Sequence, residues 1–516
     1  MGFESLYIGS TGLKTHGARM QNIGNNLANV NTLGYKNTNV HFETLISEVL
    51  TAGGDAANQG LSQSGKGVGL GAILTDYRNG GFMDGSSTTD LAITGKGFFR
   101  VEDDGVVRYT RAGNFRFDKE GFLVDPNGFR VQGKAFSNGV AGSTGDIQLP
   151  FDANGEITLD PSPTSTVSLG MNLGNITDKS ASLANPHFSL FEAWNGTPDD
   201  DIPLSDSSYG YKNTIRIYDS AGNAQDLNAY FDAVSVSNAA GKSYYEFVVG
   251  SDPSVDGRTG LAGTSGSGMS MMGTLVFNSE GTLENVAAFT YDGDGDVKDL
   301  ANWIPASFDA NGALVFNMQF AGTSGATSTT SATATGDIGL SFGLSASGWS
   351  NTLSNAAVVG HNQTLLPEMA SPSRSAFATT HYAGSSSTVF QTQDGSPKGY
   401  LTSLNVDADG TMVGNFTNGE HQGLAQVSLY NFVNDWGLRR EGGNHFSETS
   451  ASGEGVEGVA GTENFGQIAQ NTLENSNVDM ADQFTKMIIT ERGFQANSKV
   501  VTTTDQILQV LYQMKR

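Results

Sequence analysis

Met480-Ala-Asp-Gln-Phe484-Thr-Lys-Met487-Ile488-Ile-Thr-Glu-Arg-Gly493-Phe494, running on through Val501, Leu508 and Met514, places apolar residues at a spacing of seven. Met480, Met487, Phe494, Val501 and Leu508 form the seam, and Phe484, Ile488, Ile507, Leu511 and Met514 flank it. A heptad stripe sustained this long predicts one helix with coiled-coil-like packing. Asp479 is its expected N-cap, and Asp482 sits in the first turn, where the helix dipole favours negative charge. At ~1.5 Å per residue the segment spans roughly 55 Å, long for a domain helix. The bland reading is a hairpin within one chain, and the sharper one is packing between subunits.

The opposite end carries a weaker counterpart. Leu6, Leu13, Met20 and Leu27 are also seven apart, thickened by Ile23 and Val30. Beside them runs a small row, Ser10, Gly17 and Gly24, which would let another helix approach closely. Gly9, Gly12, Gly17 and Gly24 each cost ~1 kcal/mol relative to alanine, so this helix is expected to order only when packed. Gly34 is the expected left-handed residue that turns the chain after it.

Between the ends the period falls from seven to two. Leu91–Ile93, Phe98–Val101, Asn114–Phe117, Thr214–Tyr218, Leu227–Phe231, Tyr244–Val249, Thr274–Phe277 and Gln426–Phe432 read as strands of antiparallel sheets, separated by Gly, Asn and Asp turns. Gly113–Leu123 and Gly273–Leu283 repeat one pattern, hairpins with Gly121 and Gly281 at the turn. That repeat is either a duplicated sheet or a common hairpin solution. Gly53–Gly71, Gly257–Ser270 and Gly322–Gly336 read as connectors or exposed loops.

The chain has 516 residues, 53 acidic and 28 basic, for a net charge of −25, with no cysteine and 67 glycines. At ~150 residues per domain this length suggests two to four domains. Zero cysteines exclude a disulfide scaffold and every cysteine-ligated metal site. The acidity argues against nucleic acid and anionic membranes as partners. The charge is uneven: residues 1–36 carry +2 and residues 479–516 carry +1, which leaves −28 in the middle. The longest apolar runs are about four residues, against the ~20 that a membrane-spanning helix needs. The N-terminus has no basic stretch, apolar run or cleavage site of a conventional signal.

Candidate chemistry is thin. Gly339-Leu-Ser341-Phe-Gly343 lacks the strand and helix that a nucleophile elbow needs, and Gly67, Gly69 and Ala72 open no helix. Asp292, Asp294 and Asp296 resemble the start of a calcium loop, but Val297 and Trp303 stand where glycine and glutamate belong, so an acidic turn is preferred. His16, His41, His187, His361, His381, His421 and His445 are scattered and read as surface or turn residues. No catalytic, cofactor or metal site is predicted.

Asn25-Asn26-Leu27-Ala28-Asn29, with Gly34-Tyr35-Lys36, resembles the N-terminal signature of the bacterial flagellar rod, hook and hook-associated proteins. Asn475-Ser-Asn-Val478-Asp479-Met480, Glu491-Arg-Gly-Phe-Gln-Ala-Asn497 and Asp505-Gln-Ile-Leu508 resemble their C-terminal helix. Ser87–Phe99 and Tyr109–Phe115 resemble the inner β domain of the distal rod and hook; Ile217–Asn223 and Gln393–Gly414 resemble the hook members. Residues 284–370 match nothing recognisable.

The resemblance implies an α+β fold. Helical ends (1–36 plus 477–516) form an inner core, followed by a connector (37–71), an inner β domain (72–145 plus 371–476) and one or two outer β domains (146–370). It implies a non-enzymatic subunit that self-assembles into the curved, flexible hook tube, joining rod to filament and passing torque between them. Its partners would be itself, the distal rod, the hook cap, the hook–filament junction proteins and the flagellar export apparatus, with an extracellular place on the flagellum and no cofactor. Leu6, Leu13, Met20, Leu27, Met480, Met487, Ile488, Phe494, Val501 and Leu508 would be subunit-packing positions, and Asn25, Asn26 and Asn29 would either cap or cross-link helices or lie exposed to solvent. The alternatives are the distal rod protein and a secreted acidic, β-rich carbohydrate-binding protein.

Overall fold

The computed structural model describes residues 2–50, 62–137, 139–151, 155–197, 202–236, 241–320, 336–351, 353–462 and 464–514. Three α-helices stand out among them: α1 (Gly2–Ala28), the short α2 (Ser189–Ala193) and α3 (Met480–Met514). The remainder is mainly β-sheet. Asp479 caps α3 as its sequence position implies, its carboxylate accepting the Asp482 N–H at 3.0 Å.

The chain divides into two compact units, Met1–Thr158 with Leu401–Arg516, and Leu159–Tyr400. In the first, strands from both ends of the sequence interleave in one sheet. Arg130–Ser137 lies between His421–Val427 and Phe98–Asp103, and Val106–Thr110 pairs with His445–Ser447. The core beneath gathers Leu91, Ile93, Phe99, Phe115, Val131, Met412, Val427 and Ile468. The single strand expected at Gln426–Phe432 is broken at buried Ser428. Val427 pairs with Gly133, whereas Leu429 pairs with Phe99, so the two halves serve different neighbours.

The second unit is layered. A six-stranded antiparallel meander runs from Tyr211–Tyr218 to Trp303–Pro305. One of its faces packs on a five-stranded sheet containing Thr166–Asn172, Leu314–Asn317, Asp337–Ser341 and Ser387–Gln393. The other face is covered by α2 with Trp194, Leu261, Val297, Ala356 and Leu366. Burial on both faces explains why Met269–Phe277 is buried at every position, Ser270 and Thr274 included, and does not alternate apolar with polar.

This packing corrects two expected boundaries. Residues 371–400 belong to the second unit and not to the inner β domain, because Ser387–Gln393 is hydrogen-bonded along Thr166–Asn172. Residues 146–158 belong to the first unit, where Asp146 pairs with Gln132. Within 284–370, Leu314–Asn317 and Asp337–Ser341 complete the five-stranded sheet, so this stretch builds the core of the second unit.

The repeated hairpin is a common solution. Turns beginning at Asp118, Asp125, Asp219, Asn278, Asp309 and Asp407 share one geometry across both units. The first residue's N–H bonds the carbonyl four residues on, and the fourth residue is a glycine with φ between +78° and +91°. In all but the last, the first side chain also accepts two N–H bonds from its own turn. Glycine supplies the left-handed residue of a bulged three-residue loop, and Asp or Asn folds the turn locally.

Gly257–Ser270 is not the expected exposed loop. Asp256 collects the Arg258 guanidinium and the Gly268 N–H, drawing Arg258, Leu261 and Ser267 into the interior. Residues 322–335 of Gly322–Gly336 and 53–61 of Gly53–Gly71 lie outside the described residues. His187 and His445 are buried, contrary to a surface reading. His187 packs edge-on against Tyr244, and His445 pairs with Asp125 at 2.7 Å. Burial lowers the His187 pKa to about 4. Ser341 ends a strand and enters a turn at Gly343, with no helix following. Asp292 and Asp296 each accept an N–H of their own turn; among the described residues, no three metal-ligating side chains converge.

Candidate assembly site

Helices α1 and α3 pack antiparallel. Gly9 lies against Val501, Gly12 against Asn497 and Gly493 against His16, while Asn26 reaches Gln483. These are tight notches. A Cβ at Gly9 would stand 2.8 Å from the Val501 side chain, one at Gly12 2.5 Å from the Asn497 amide, and one at Gly493 2.5 Å from the His16 ring. On α3 the inward row is Gln483, Thr490, Asn497 and Thr504, of which all but half-buried Asn497 are buried. The pair therefore has a heptad seam, but of small and polar residues rather than the large apolar row. The predicted small row is also displaced: a Cβ on Gly17 or Gly24 would meet nothing within 4 Å, and Gly9 and Gly12 make the close approach instead.

Most apolar residues of α3 consequently point outward in the single chain, with Val501, seated on Gly9, the exception. Met480 is 51% exposed, Ile488 58% and Phe494 42%; Met487, Val501 and Leu508 are half-buried. Phe484, Ile507, Leu511 and Met514 are exposed as well. On α1, Leu6, Leu13, Met20 and Leu27 are all half-buried.

The signature residues build a junction at the end of α1. Asn26 is buried; its amide donates to Thr38 O at 2.8 Å and Gln483 Oε1 at 3.3 Å, and its Oδ1 accepts the Thr38 N–H and the Tyr35 hydroxyl. Asn25 donates to the Tyr35 hydroxyl at 3.3 Å. Asn29 donates to Asn25 O and accepts from Thr32, closing the helix. Leu27 is half-buried and Ala28 exposed. Gly34 takes φ +65° with its α-carbon against the Arg111–Ala112 backbone, which leaves no room for a side chain. The expected 37–71 connector holds most of a hairpin, Thr38–Thr44 with Val68–Thr75, whose second strand runs past residue 71; Asn22–Thr38 and Thr11–Val68 hydrogen bonds tie it to α1.

Sequence reading missed the centre of this junction. Lys36 and Glu474 form a fully buried ion pair at 2.6 Å, with Arg111 joining Glu474 at 3.5 Å. Lys36 also donates to Arg78 O, and Gly80 N–H donates to Glu474. Burial first, and the Arg111 charge second, lower the Lys36 pKa to about 8 despite the Glu474 carboxylate; burial lowers that of Arg111 too. Asn477 clamps the same place, accepting the Asn37 N–H at 2.7 Å and donating to Asp76 O and Arg78 O. Arg440 donates to Lys36 O and stacks over the Tyr35 ring. The polar row of α3 had a legible signal, its spacing of seven; the ion pair joins residues 438 apart and had none.

The comparisons with known proteins follow this layout. Family models match in chain order: "Flagella basal body rod protein" at 6–36, "Flagellar hook protein FlgE/F/G D1 domain" at 92–165, "Flagellar basal body protein FlaE D2 domain" at 193–396, and "Flagellar basal body rod FlgEFG protein C-terminal" at 469–514. The flagellar hook protein FlgE of Borreliella burgdorferi is 30% identical over 535 residues, covering 99% of each chain. The chain belongs to the flagellar hook protein family. The hook protein FlgE of Treponema pallidum is 30% identical over 99% of this chain and 100% of its own, and that of Salmonella typhimurium 28% over 98% of each. A solved structure, Helicobacter pylori flagellar hook protein FlgE2, gives a TM-score of 0.41 at 14% identity, covering 76% of this chain and 100% of that one. Within this hook-family chain, the first matched segment ends at Lys36 and the last contains Glu474, so the two terminal matches meet at the buried ion pair.

Proposed function

We infer that this chain is the structural, non-enzymatic subunit of a bacterial flagellar hook, polymerising into a curved tube between rod and filament. One observation carries the reading. A 35-residue helix seats its polar and small residues on α1 and turns Met480, Phe484, Ile488, Phe494, Ile507 and Leu511 outward. Apolar side chains held out on a helix whose own partner is already satisfied call for further helices, and neighbouring copies supply them in a coiled-coil-like inner layer. Leu6, Leu13, Met20 and Leu27 with Met480, Met487, Ile488, Phe494, Val501 and Leu508 are the packing positions of that layer. The Asn25–Lys36 turn and Glu474 anchor it to the β-sheet of the first unit, the route by which torque on the helices reaches the β-sheet. Export through the flagellar apparatus, contacts with rod, cap and junction proteins, and an extracellular place on the flagellum follow from the same reading. The distal rod alternative is disfavoured because hook proteins match this chain along its whole length.

Removing 1–36 and 477–516 from the purified chain is expected to leave a soluble monomer, whereas the full chain forms tubes in electron micrographs. Tubes from the truncated chain would refute the assignment of assembly to these helices.

A further inference from the structure

We propose that the tip Val433–Trp436 and the cleft beside it form a contact surface for an acidic segment of a second copy of this chain. The proposal rests on the self-assembly reading and adds to it a site away from the terminal helices. Val433 is 90% exposed and Trp436 68%, side by side on one turn of the first unit. Trp194 and Trp303 are buried and Trp349 is half-buried, so this indole is set apart from the others.

The tip is held in place. Asn434 N–H donates to Ser452 O at 3.3 Å, its amide to Ala451 O at 3.0 Å, and Gly437 N–H returns to Asn434 O at 3.1 Å. Thr449 Oγ1 donates to Gly437 O at 2.6 Å, and the Gly437 α-carbon lies against the 451–452 backbone with no space for a Cβ. A rigid aromatic tip loses little conformational freedom on binding, and Trp is over-represented among residues that dominate interfaces.

Trp436 borders a cleft of about 550 Å³ whose walls include Tyr77, Arg78, Lys96, Phe98 and Arg111. Its charged lining is three basic side chains, Arg78, Lys96 and Arg111, against two acidic ones, Asp76 and Asp435. Burial raises the Asp435 pKa, against the pull of the Arg111 and Lys96 charges, which lowers it. Lys96 makes no salt bridge with any described carboxylate, unlike Arg78 with Asp76 and Arg111 with Glu474. Arg111 is buried against Glu474, so the cations this aromatic-walled cleft presents are Arg78 and Lys96, complementary to the acidic remainder of a chain of net charge −25. A positive hollow meeting an acidic stretch elsewhere on the next copy is a heterologous contact, the kind that builds open helical assemblies.

The test uses the full-length chain alone in solution. In monomer, Trp436 emission is expected at long wavelength and accessible to acrylamide; on polymerisation that fraction shifts to the blue and loses accessibility. Trp436→Ala is expected to raise the protein concentration needed for polymer at least ~10-fold while leaving the melting curve unchanged, and Lys96→Glu to act in the same direction. A photo-crosslinking residue at position 436 is expected to capture an acidic stretch of a neighbouring copy. Tubes in which Trp436 stays accessible, or Trp436→Ala polymerising like the parent, overturn the proposal while leaving helix-driven assembly intact. The quenching measurement on the unmodified chain stands whether or not the alanine variant folds.

Discussion

Replacing Glu474 by glutamine leaves the shape of the junction almost unchanged and strips the charge that two buried cations share. Lys36 lies 2.6 Å from that carboxylate and Arg111 3.5 Å, with the Lys36 and Glu474 side chains fully buried. Removing one partner from a buried pair costs about 3–5 kcal/mol, since the remaining charge has neither water nor counter-ion. Lys36→Met should behave differently. The fall of its pKa from 10.5 to about 8 says that holding the ammonium there costs roughly 3 kcal/mol, at 1.36 kcal/mol per unit. Methionine removes that cost along with two hydrogen bonds and leaves the Glu474–Arg111 pair, so a net change of about 1 kcal/mol or less is expected. The pH dependence follows. The folded pKa lies below the unfolded one, so the stability is fully present above about 10.5 and is lost as pH falls through about 8. Between pH 7 and 9.5 the parent should gain roughly 2 kcal/mol that Lys36→Met does not. Urea titrations read by the fluorine signal of 5-fluorotryptophan at Trp436, the indole of the first unit, measure both effects. Glu474→Gln as mild as Lys36→Met, or a pH rise that survives in Lys36→Met, would refute the reasoning.

Other outcomes can be checked alongside. Gly281→Ala should destabilise the second unit by about 3 kcal/mol, because a Cβ at φ +78° also strikes His381 O. Gly128→Ala, at φ +91° in open space, should cost only about 1–2 kcal/mol; thermal melts of the two variants decide. His187 is neutral and buried with its pKa near 4, below an unfolded value near 6.5, so its contribution is present above 6.5 and lost as pH falls through 4. His187→Phe should therefore recover about 3 kcal/mol at pH 4 relative to pH 7, read by Trp194 and Trp303 fluorescence in urea. Repulsion among the acidic middles of neighbouring subunits should make assembly rise between low and moderate salt in light scattering; a flat response would contradict it.

Local chemistry was the legible part of this fold. Most of the strand segments, the Asp479 cap, the left-handed Gly34 and the Gly121 and Gly281 turns follow from residues within a few positions of one another and are present, while Asn114–Phe117 shrinks to the strand Arg116–Phe117 and Gln426–Phe432 is split at Ser428. Boundaries set by long-range pairing were not legible. Nothing near Ser387–Gln393 tells that it joins Thr166–Asn172, so 371–400 fell to the wrong unit. Gly257–Ser270 looked like a solvated loop because its burial depends on one carboxylate, Asp256, lying outside it. The candidate assembly helices were found by period, yet the period has two solutions on α3. The apolar row drew the eye, while the row that grips α1 is Gln483, Thr490, Asn497 and Thr504, polar enough to pass for a solvated face.

The notches of the helix pair act as a ruler. A purely apolar seam tolerates sliding by one turn, about 5.4 Å, at little cost, since one leucine replaces another. Here a slip would drive the His16 ring out of the Gly493 notch, move Asn497 off Gly12 and part Asn26 from Gln483. Each loss is steric or leaves a buried amide unpaired, so the pair has one axial setting. That setting fixes the height at which every subunit presents its outward apolar row. In an object built of repeats, an offset of one turn per subunit would accumulate along the length, and a polar interlock inside the subunit is where such an error is stopped.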